Sequence, residues 1–273
     1  MALSNFIPEL WEAMTLERWE NEKVIPALLD RHYEGVATRG NKVHITSVVT
    51  PTISDYEAAG RTTSEEAITD TGVDLLIDQA DSFDFFVDDI DATQAAGSLG
   101  DYTNAAADGL VQAADVFLAS MLVSDGDVLA YSTISDAEDA FDVFALANKQ
   151  LHINKAPSAG RVALVNPAME YFLLSNSSKL TSVNTSGDND GLRNATIGQV
   201  LNFRVVRSNN LPEVTSPQAV FFHPTAAAYV SQLSGIEALR ANTRIADRIR
   251  GLHVYGAKVI RSEGVLVWNE LGT

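Results

Sequence analysis

The sequence predicts a mixed α+β fold, and three patterns carry that prediction. Between residues 73 and 88, Val73, Leu75, Ile77, Phe83, Phe85 and Val87 fall on one side of a period of two, and Asp74, Asp78, Asp84 and Asp88 on the other. That alternation belongs to a strand with one buried face, because a helix would scatter the aspartates around its circumference. Residues 92–122 instead place Leu99, Tyr102, Ala106, Leu110, Ala113, Phe117 and Met121 at steps of three and four, the spacing of one helix face. The C-terminal half then alternates short apolar runs with helical patterns.

Taken in order, residues 6–34 read as a helical arm carrying Trp11, Met14, Arg18 and Trp19, interrupted by Pro8 and Pro26. With two tryptophans and few other core residues, such an arm is expected to lie on another surface. Val43, Ile45 and Val49 fall at strand spacing, and residues 57–70 are polar and turn-like, so residues 41–90 read as one long antiparallel hairpin. A lone hairpin is marginal in water and must lie against other protein. The long helix ends at "SDGD" (124–127). Ser135 and Glu138 have capping-box spacing and open a helix burying Phe141, Phe144 and Leu151. "RVALV" is a strand, and Asn166–Pro167 caps the helix "AMEYFLL". Residues 175–191 form a long polar loop. "LNFRVVR", "QAVFF", "LHVYGAKVI" and "VLVW" are further strands, with a short helix near "TAAAYVSQL".

Composition narrows the function. The 273 residues contain no cysteine, which removes disulfides, thiolate metal sites and thiol catalysis. The N-terminus lacks the basic start of a signal peptide, and no run approaches the apolar length of a membrane helix. The net charge of −17 is concentrated: residues 55–142 hold one Lys or Arg against twenty-one Asp or Glu. Phosphate repulsion opposes nucleic-acid binding through that region.

The same stretches hold only partial chemical motifs. Ser186, Asp188, Asp190 and Gly191 match the first half of a calcium loop, but its twelfth position is Ile197, which cannot coordinate. The aspartates of 73–91 could pair as catalytic acids, yet an open hairpin offers no pocket to exclude water. The five histidines lack metal-ligand spacing, and no nucleophile elbow, P-loop or dinucleotide fingerprint occurs. The expectation is a non-enzyme with no catalytic residue, metal or cofactor.

Arm, long hairpin, long helix and compact α+β body follow one another, and "NFIPELW" (5–11), "PTISDY" (51–56), "LIDQADSFDFFVDDID" (76–91), "IGQVLNFRVVRSNNLP" (197–212) and "GLHVYGAKVIRSEGV" (251–265) stand in that order. These stretches resemble the major capsid protein of tailed bacteriophages, whose fold encapsulin nanocompartments and herpesvirus capsid floors share. The resemblance implies an N-arm (1–40), an extended E-loop (41–91), a peripheral domain with its spine helix (92–134 and 241–273) and an axial domain (135–240). It further implies pentamers and hexamers of this chain in an icosahedral shell around double-stranded DNA, in the virion after assembly in the host cytoplasm. A portal and decoration proteins are further partners, and no membrane is involved. Many relatives begin with a helical scaffolding segment; here the arm starts near Met1, so a separate scaffolding protein or none is expected. An encapsulin-type shell, or a calcium- or substrate-binding enzyme, is the alternative. Expected inter-subunit contacts are Trp11 and Trp19 on the arm and Phe83, Phe85 and Val87 on the apolar face. Asp84 and Asp88 are expected to meet a neighbour's Arg240, Arg244, Arg248 or Arg250.

Overall fold

The structure, a computed structural model, describes residues 23–35, 40–47, 52–58, 60–63, 65, 71–88, 99–131, 133–175, 198–240 and 246–270. Its strands are β1 (Lys42–Ser47), β2 (Thr71–Leu76), β3 (Gln79–Asp88), β4 (Asp127–Val128), β5 (Arg161–Val165), β6 (Gln199–Val200), β7 (Phe203–Arg207), β8 (Gln218–Phe222), β9 (Ala227–Arg240), β10 (Ala246–Val259) and β11 (Val265–Asn269). Its α-helices are α1 (Leu99–Asp125), α2 (Ala137–Ile153) and α3 (Pro167–Leu174). Trp11, Trp19, Arg244, the 175–191 loop apart from Ser175, and the calcium-like stretch lie outside the described residues.

The six-stranded sheet, ordered β4-β11-β8-β5-β7-β6, is the centre of the body. Its middle strands are buried on both faces, and their period of two sorts side chains into two cores. Val162, Leu164, Val220, Phe222, Val265 and Val267 face α1. Ala163, Val165, Ala219, Phe221, Leu266 and Trp268 face the other way, toward Val143, Phe144 and Leu151 of α2 and Met169 of α3. Both outer strands are two residues long, which leaves little open edge for unwanted pairing. Asn166 caps α3 as expected, accepting from the Met169 N–H at 2.9 Å. The cap of α2 sits one residue later than the capping-box spacing predicts. Asp136 accepts from the Glu138 and Asp139 N–H groups, and Asp139 reaches back to Ser135. A carboxylate accepts at both oxygens, so the two aspartates do what Ser135 and Glu138 were expected to do.

At 27 residues α1 is about 40 Å long. Its deepest stripe is Ala114, Leu118 and Leu122, so Phe117 lies at the stripe's edge, half-buried. Over Asn104–Asp125 it is long and apolar enough to cross a membrane by length and composition. That apolarity is used instead in contact with both sheets and with Ile25, Leu28 and Leu29. Within this core Asp115 is fully buried; it accepts from the Ile25 N–H at 2.8 Å and the Asn210 amide at 2.6 Å.

The expected single hairpin over 41–90 divides. β1 and β2 pair from Lys42↔Leu76 to Ser47↔Thr71. Val43, Ile45, Leu75 and Ile77 are buried there, with Asp74 and Leu76 exposed, as the alternation predicts. The Ile77 N–H then closes the ladder on Asn41, and β3 pairs with β10, some 160 residues on. β3 thereby satisfies its backbone groups on a strand remote in sequence. β9 completes a three-stranded sheet, β3-β10-β9. The short helix expected near 225–233 is a 3-10 turn, Pro224–Ala226, running straight into β9. Ala227, Ala228 and Val230 are buried between β10, the hairpin base and residue 30, a crowded site that suits small residues in extended chain. β9 (227–240) pairs outside the sheet of the expected axial unit, and β11 (265–269), expected in the peripheral one, lies between β4 and β8.

The hairpin base crosses β10 at Gly256, where an added Cβ would overlap the Leu76 carbonyl and lie 2.8 Å from Ile77 Cα. Gly235, in the same sheet, has open space around that position. Gly256→Ala is therefore expected to lower stability by about 1–3 kcal/mol through overpacking, and Gly235→Ala to change it little. Denaturant unfolding of both variants checks the contrast.

Candidate functional site

The projecting end of the hairpin is built by local polar bonds. Asp55 accepts from the Glu57 and Ala58 N–H groups at 2.9 and 3.3 Å, and the Arg61 N–H donates to Tyr56 O at 2.9 Å. Gly60 and Arg61 turn the chain with φ of 67° and 63°. The turn holds Ile53 at 93% exposure and Tyr56 at 54%. An isoleucine so exposed on a locally ordered turn is an apolar prong. Arg61 has no ion pair among the described residues.

At the other end of the hairpin lies a groove of about 470 Å³ between β2, α1 and β10. Leu76, Phe117, Met121 and Ala257 supply its apolar part, with Asp74, Asp78 and Asp125 around them. Leu76 is 51% exposed, and the Phe117 ring stands edge-on to Tyr255 with centroids 5.6 Å apart. The acidic groups are held in place. Asp74 is gripped by Lys42 and by His44 Nδ1 at 2.7 Å, which holds its carboxyl below the usual range. Asp125 accepts from Lys258 Nζ at 2.8 Å, and Asp78 accepts from the Gln79 amide at 2.9 Å.

The expected contact residues on β3 meet partners within their own chain. Phe83 stacks on Phe85 with centroids 5.9 Å apart and lies over Gly251, while Phe85 pairs with Ile249 and Val87 with Asp247. All three stay half-buried. Arg248 Nε donates to Asp84 Oδ1 at 2.9 Å, and its guanidinium stands 5.5 Å from the Phe86 ring centre. This pairing with Arg248 holds the Asp84 carboxyl below its ordinary value and the guanidinium above its own. Arg240 meets Asp247 at 3.0 Å and Arg250 meets Glu237 at 2.7 Å. Asp88 pairs through its backbone with Ala246. Arg240, Arg248 and Arg250 thus form a charged ladder across β3, β10 and β9 within one chain. Sequence reasoning missed the Ile53–Tyr56 prong and the groove. An isoleucine within the polar run "PTISDY" was the one available signal; the groove joins residues from three distant segments.

A hairpin and a spine helix laid on a two-sheet α+β body define the fold of tailed-phage major capsid proteins. Residues 76–268 match the model of the family described as phage capsid protein, and the chain belongs to that family. A solved structure from Mycobacterium phage Che8 is 55% identical, with a TM-score of 0.93 and coverage of 100% of both chains. The capsid structure of cyanophage P-SCSP1u is 17% identical, covers 97% of this chain and 93% of its own, and has a TM-score of 0.80. The asymmetric unit of the bacteriophage PhiM1 mature capsid is 15% identical, with coverages of 94% and 92% and a TM-score of 0.71. These last two show likeness of fold alone. No curated protein matches the chain. The protein is a phage major capsid protein, a structural subunit of an icosahedral shell.

The Asp84–Arg248 pair gives a pH-dependent contribution whose sign is fixed. Because the folded carboxyl lies below its ordinary 3.8, the contribution is present above that value and fades as pH falls through it. Asp84→Asn is expected to be less stable than the parent at neutral pH, with the difference vanishing in strong acid. Paired urea titrations across that range measure it.

Proposed function

We propose that copies of this chain join head to tail through the hairpin. Ile53 and Tyr56 of one subunit enter the groove at the hairpin base of the next, and Arg61 meets the acidic groups around it. Rings of five and six joined in this way close into the shell, which encloses double-stranded DNA without sequence-specific contacts. The observation that carries the reading is the separation of prong from groove. Ile53 lies eleven residues beyond Lys42, the residue paired with Leu76 at the groove. Neither Ile53 nor Tyr56 lines the groove of its own chain, and Ile53 stays 93% exposed, so the groove is left open to another copy. A contact between two different surfaces leaves one of each free at every step and closes as a ring.

The energies suit assembly. Burying an isoleucine and a tyrosine gains about 1.5–3 kcal/mol each before the cost of ordering. One such contact is weak, and symmetry multiplies it. Charge adds direction, because a single arginine faces an acidic rim. The acidic middle of the chain supports enclosure of DNA without adhesion. The half-exposed Phe83, Phe85 and Val87, and the arm with Trp11 and Trp19, are the further contacts within this proposal. A separate scaffolding protein, a portal and decoration proteins are the family's further partners, met during assembly in the host cytoplasm.

Ile53→Asp with Tyr56→Asp is expected to leave subunits folded by circular dichroism while abolishing closed shells in light scattering and negative-stain images. Leu76→Asp should do the same from the groove side. Arg61→Glu should reduce shell yield several-fold, and adding Asp78→Lys should recover part of it. Normal shells from the double tip variant would remove the docking reading.

A further inference from the structure

A buried histidine stands where β3, β10 and β9 meet. In the sheet His253 lies between Asp81 of β3 and Ser234 of β9. It is 8% exposed. Its Nε2 is 3.0 Å from Ser231 Oγ and 3.5 Å from the Tyr229 hydroxyl, and its Nδ1 has no hydrogen-bond partner among the described residues. The ring lies against Tyr255 with centroids 4.7 Å apart, and the Tyr255 hydroxyl donates to Asp81 Oδ2 at 2.6 Å. Immediately beyond His253 the β9 register slips: Val254 faces Leu233 and Tyr255 faces Ser231, leaving Gln232 as the extra residue of a bulge. The junction is where the hairpin leaves the body, since β3 begins two residues after Ile77.

The charged groups around this imidazole are few. On β3 there is Asp81, already engaged by Tyr255. On the 3-10 turn His32–Gly35 there is Glu34, which accepts from the Ser231 N–H at 3.3 Å and is paired with Arg31 at 2.8 Å. Arg31 stands 5.8 Å from the Tyr229 ring centre. On the α1 side the neighbour is apolar, Phe117 against Tyr255. A neutral imidazole is accommodated here by one hydroxyl. An imidazolium carries two N–H donors and requires an acceptor for each, and the buried Nδ1 has none.

We propose that His253 is an acid-sensitive latch at the hairpin base: neutral, it keeps the start of β3 seated on β10, and on taking one proton it releases that contact. The added proton sits on the imidazole, whose second N–H finds Asp81 already engaged by the Tyr255 hydroxyl and therefore opens to water, which breaks the seat at Gln79–Asp81. Burial pushes the imidazole below its ordinary 6.5, with the Asp81 charge opposing, which agrees in sign with this geometry. Above the ordinary value both seated and released forms are neutral, and the seat is at full strength. As pH falls below it the released form takes up the proton first, and the seating equilibrium weakens by up to about tenfold per pH unit until the lowered folded value is reached.

The test uses the full chain as dispersed subunits. Histidine C2–H exchange read by mass spectrometry gives a titration midpoint for each ring, and amide exchange over 79–88 gives the seating, both corrected for intrinsic rates. His253 is expected to titrate below its ordinary 6.5. Protection of 79–88 should fall up to about tenfold between about pH 6.5 and about pH 5.5 in the parent and stay level in His253→Gln. A His253 midpoint at or above 6.5, or equal pH dependence in parent and variant, overturns the latch. Should the variant fail to fold, the parent's own midpoint and its 79–88 protection decide. Any effect on shells rests on the docking reading above. Acid release of 79–88 with undiminished shell yield would therefore support the latch and count against hairpin docking.

Discussion

One helix has to satisfy two sheets, and the rest of the subunit is arranged around that constraint. α1 faces Val162, Val220 and Val265 of the six-stranded sheet and Tyr229, Tyr255 and Ala257 of the three-stranded one. A third neighbour, the segment Ile25–Leu29, closes the same core. Burying Asp115 in such a place is costly unless its oxygens are occupied, and burial does push its carboxyl upward. The Asn210 amide and the Ile25 and Val24 N–H groups oppose that shift. The bonds offset the desolvation and also have a geometric effect. They tie the incoming N-terminal chain, the helix and the loop after β7 to a single carboxylate. Lys23 adds an outer tie to Asp108 at 2.7 Å.

The acidic excess of the middle third is a matter of placement. The exposed face of β2 and β3 carries Asp74, Asp78 and Asp84, and cations from the same chain meet two of these: Lys42 at Asp74 and Arg248 at Asp84. Exposed pairs of this kind add little stability each, but they fix which residues stand opposite one another. Register matters in β3, because a slip of one residue would turn Phe83 and Phe85 to the aspartate side. The arginine ladder across β10 and the fit of Phe83 over Gly251 resist that slip by independent means, one electrostatic and one steric.

Much of this was legible in the chain, for reasons that differ by element. The period of two over 73–88 and the helical period leading into α1 are local signals, and both produced the expected elements. Asn166–Pro167 was equally local and correct. The partner of β3 was not legible, because the alternation shows that a strand has two faces without showing which strand lies beside it. The same limit hid that β11 lies between β4 and β8. β9 failed differently: "TAAAYV" favours a helix by composition, and only the surrounding strands make small buried residues an advantage in extended chain. The candidate contacts divided along the same line. The alternation marks Asp84 as exposed, but that Arg248 of the same chain stands against it is a property of the fold.

The stability of the hairpin and its proposed use in assembly come from one shortage. Two strands alone bury too little to be stable in water, and β1–β2 secure only their base, through Val43, Ile45, Leu75 and Ile77 against Ala228 and Val230. Beyond that base the turn around Asp55 is ordered by its own hydrogen bonds while Ile53 stays in water. On the docking reading, a neighbour's groove supplies the burial that the outer hairpin lacks, and binding stabilises the bound form by mass action. The body has no such shortage, since the middle strands of its six-stranded sheet are buried on both faces. A subunit built this way can fold by itself at its centre and leave its extension for another copy to complete. The base of the hairpin, at Gly256 and His253, is then where a small local change acts on the longest lever in the molecule.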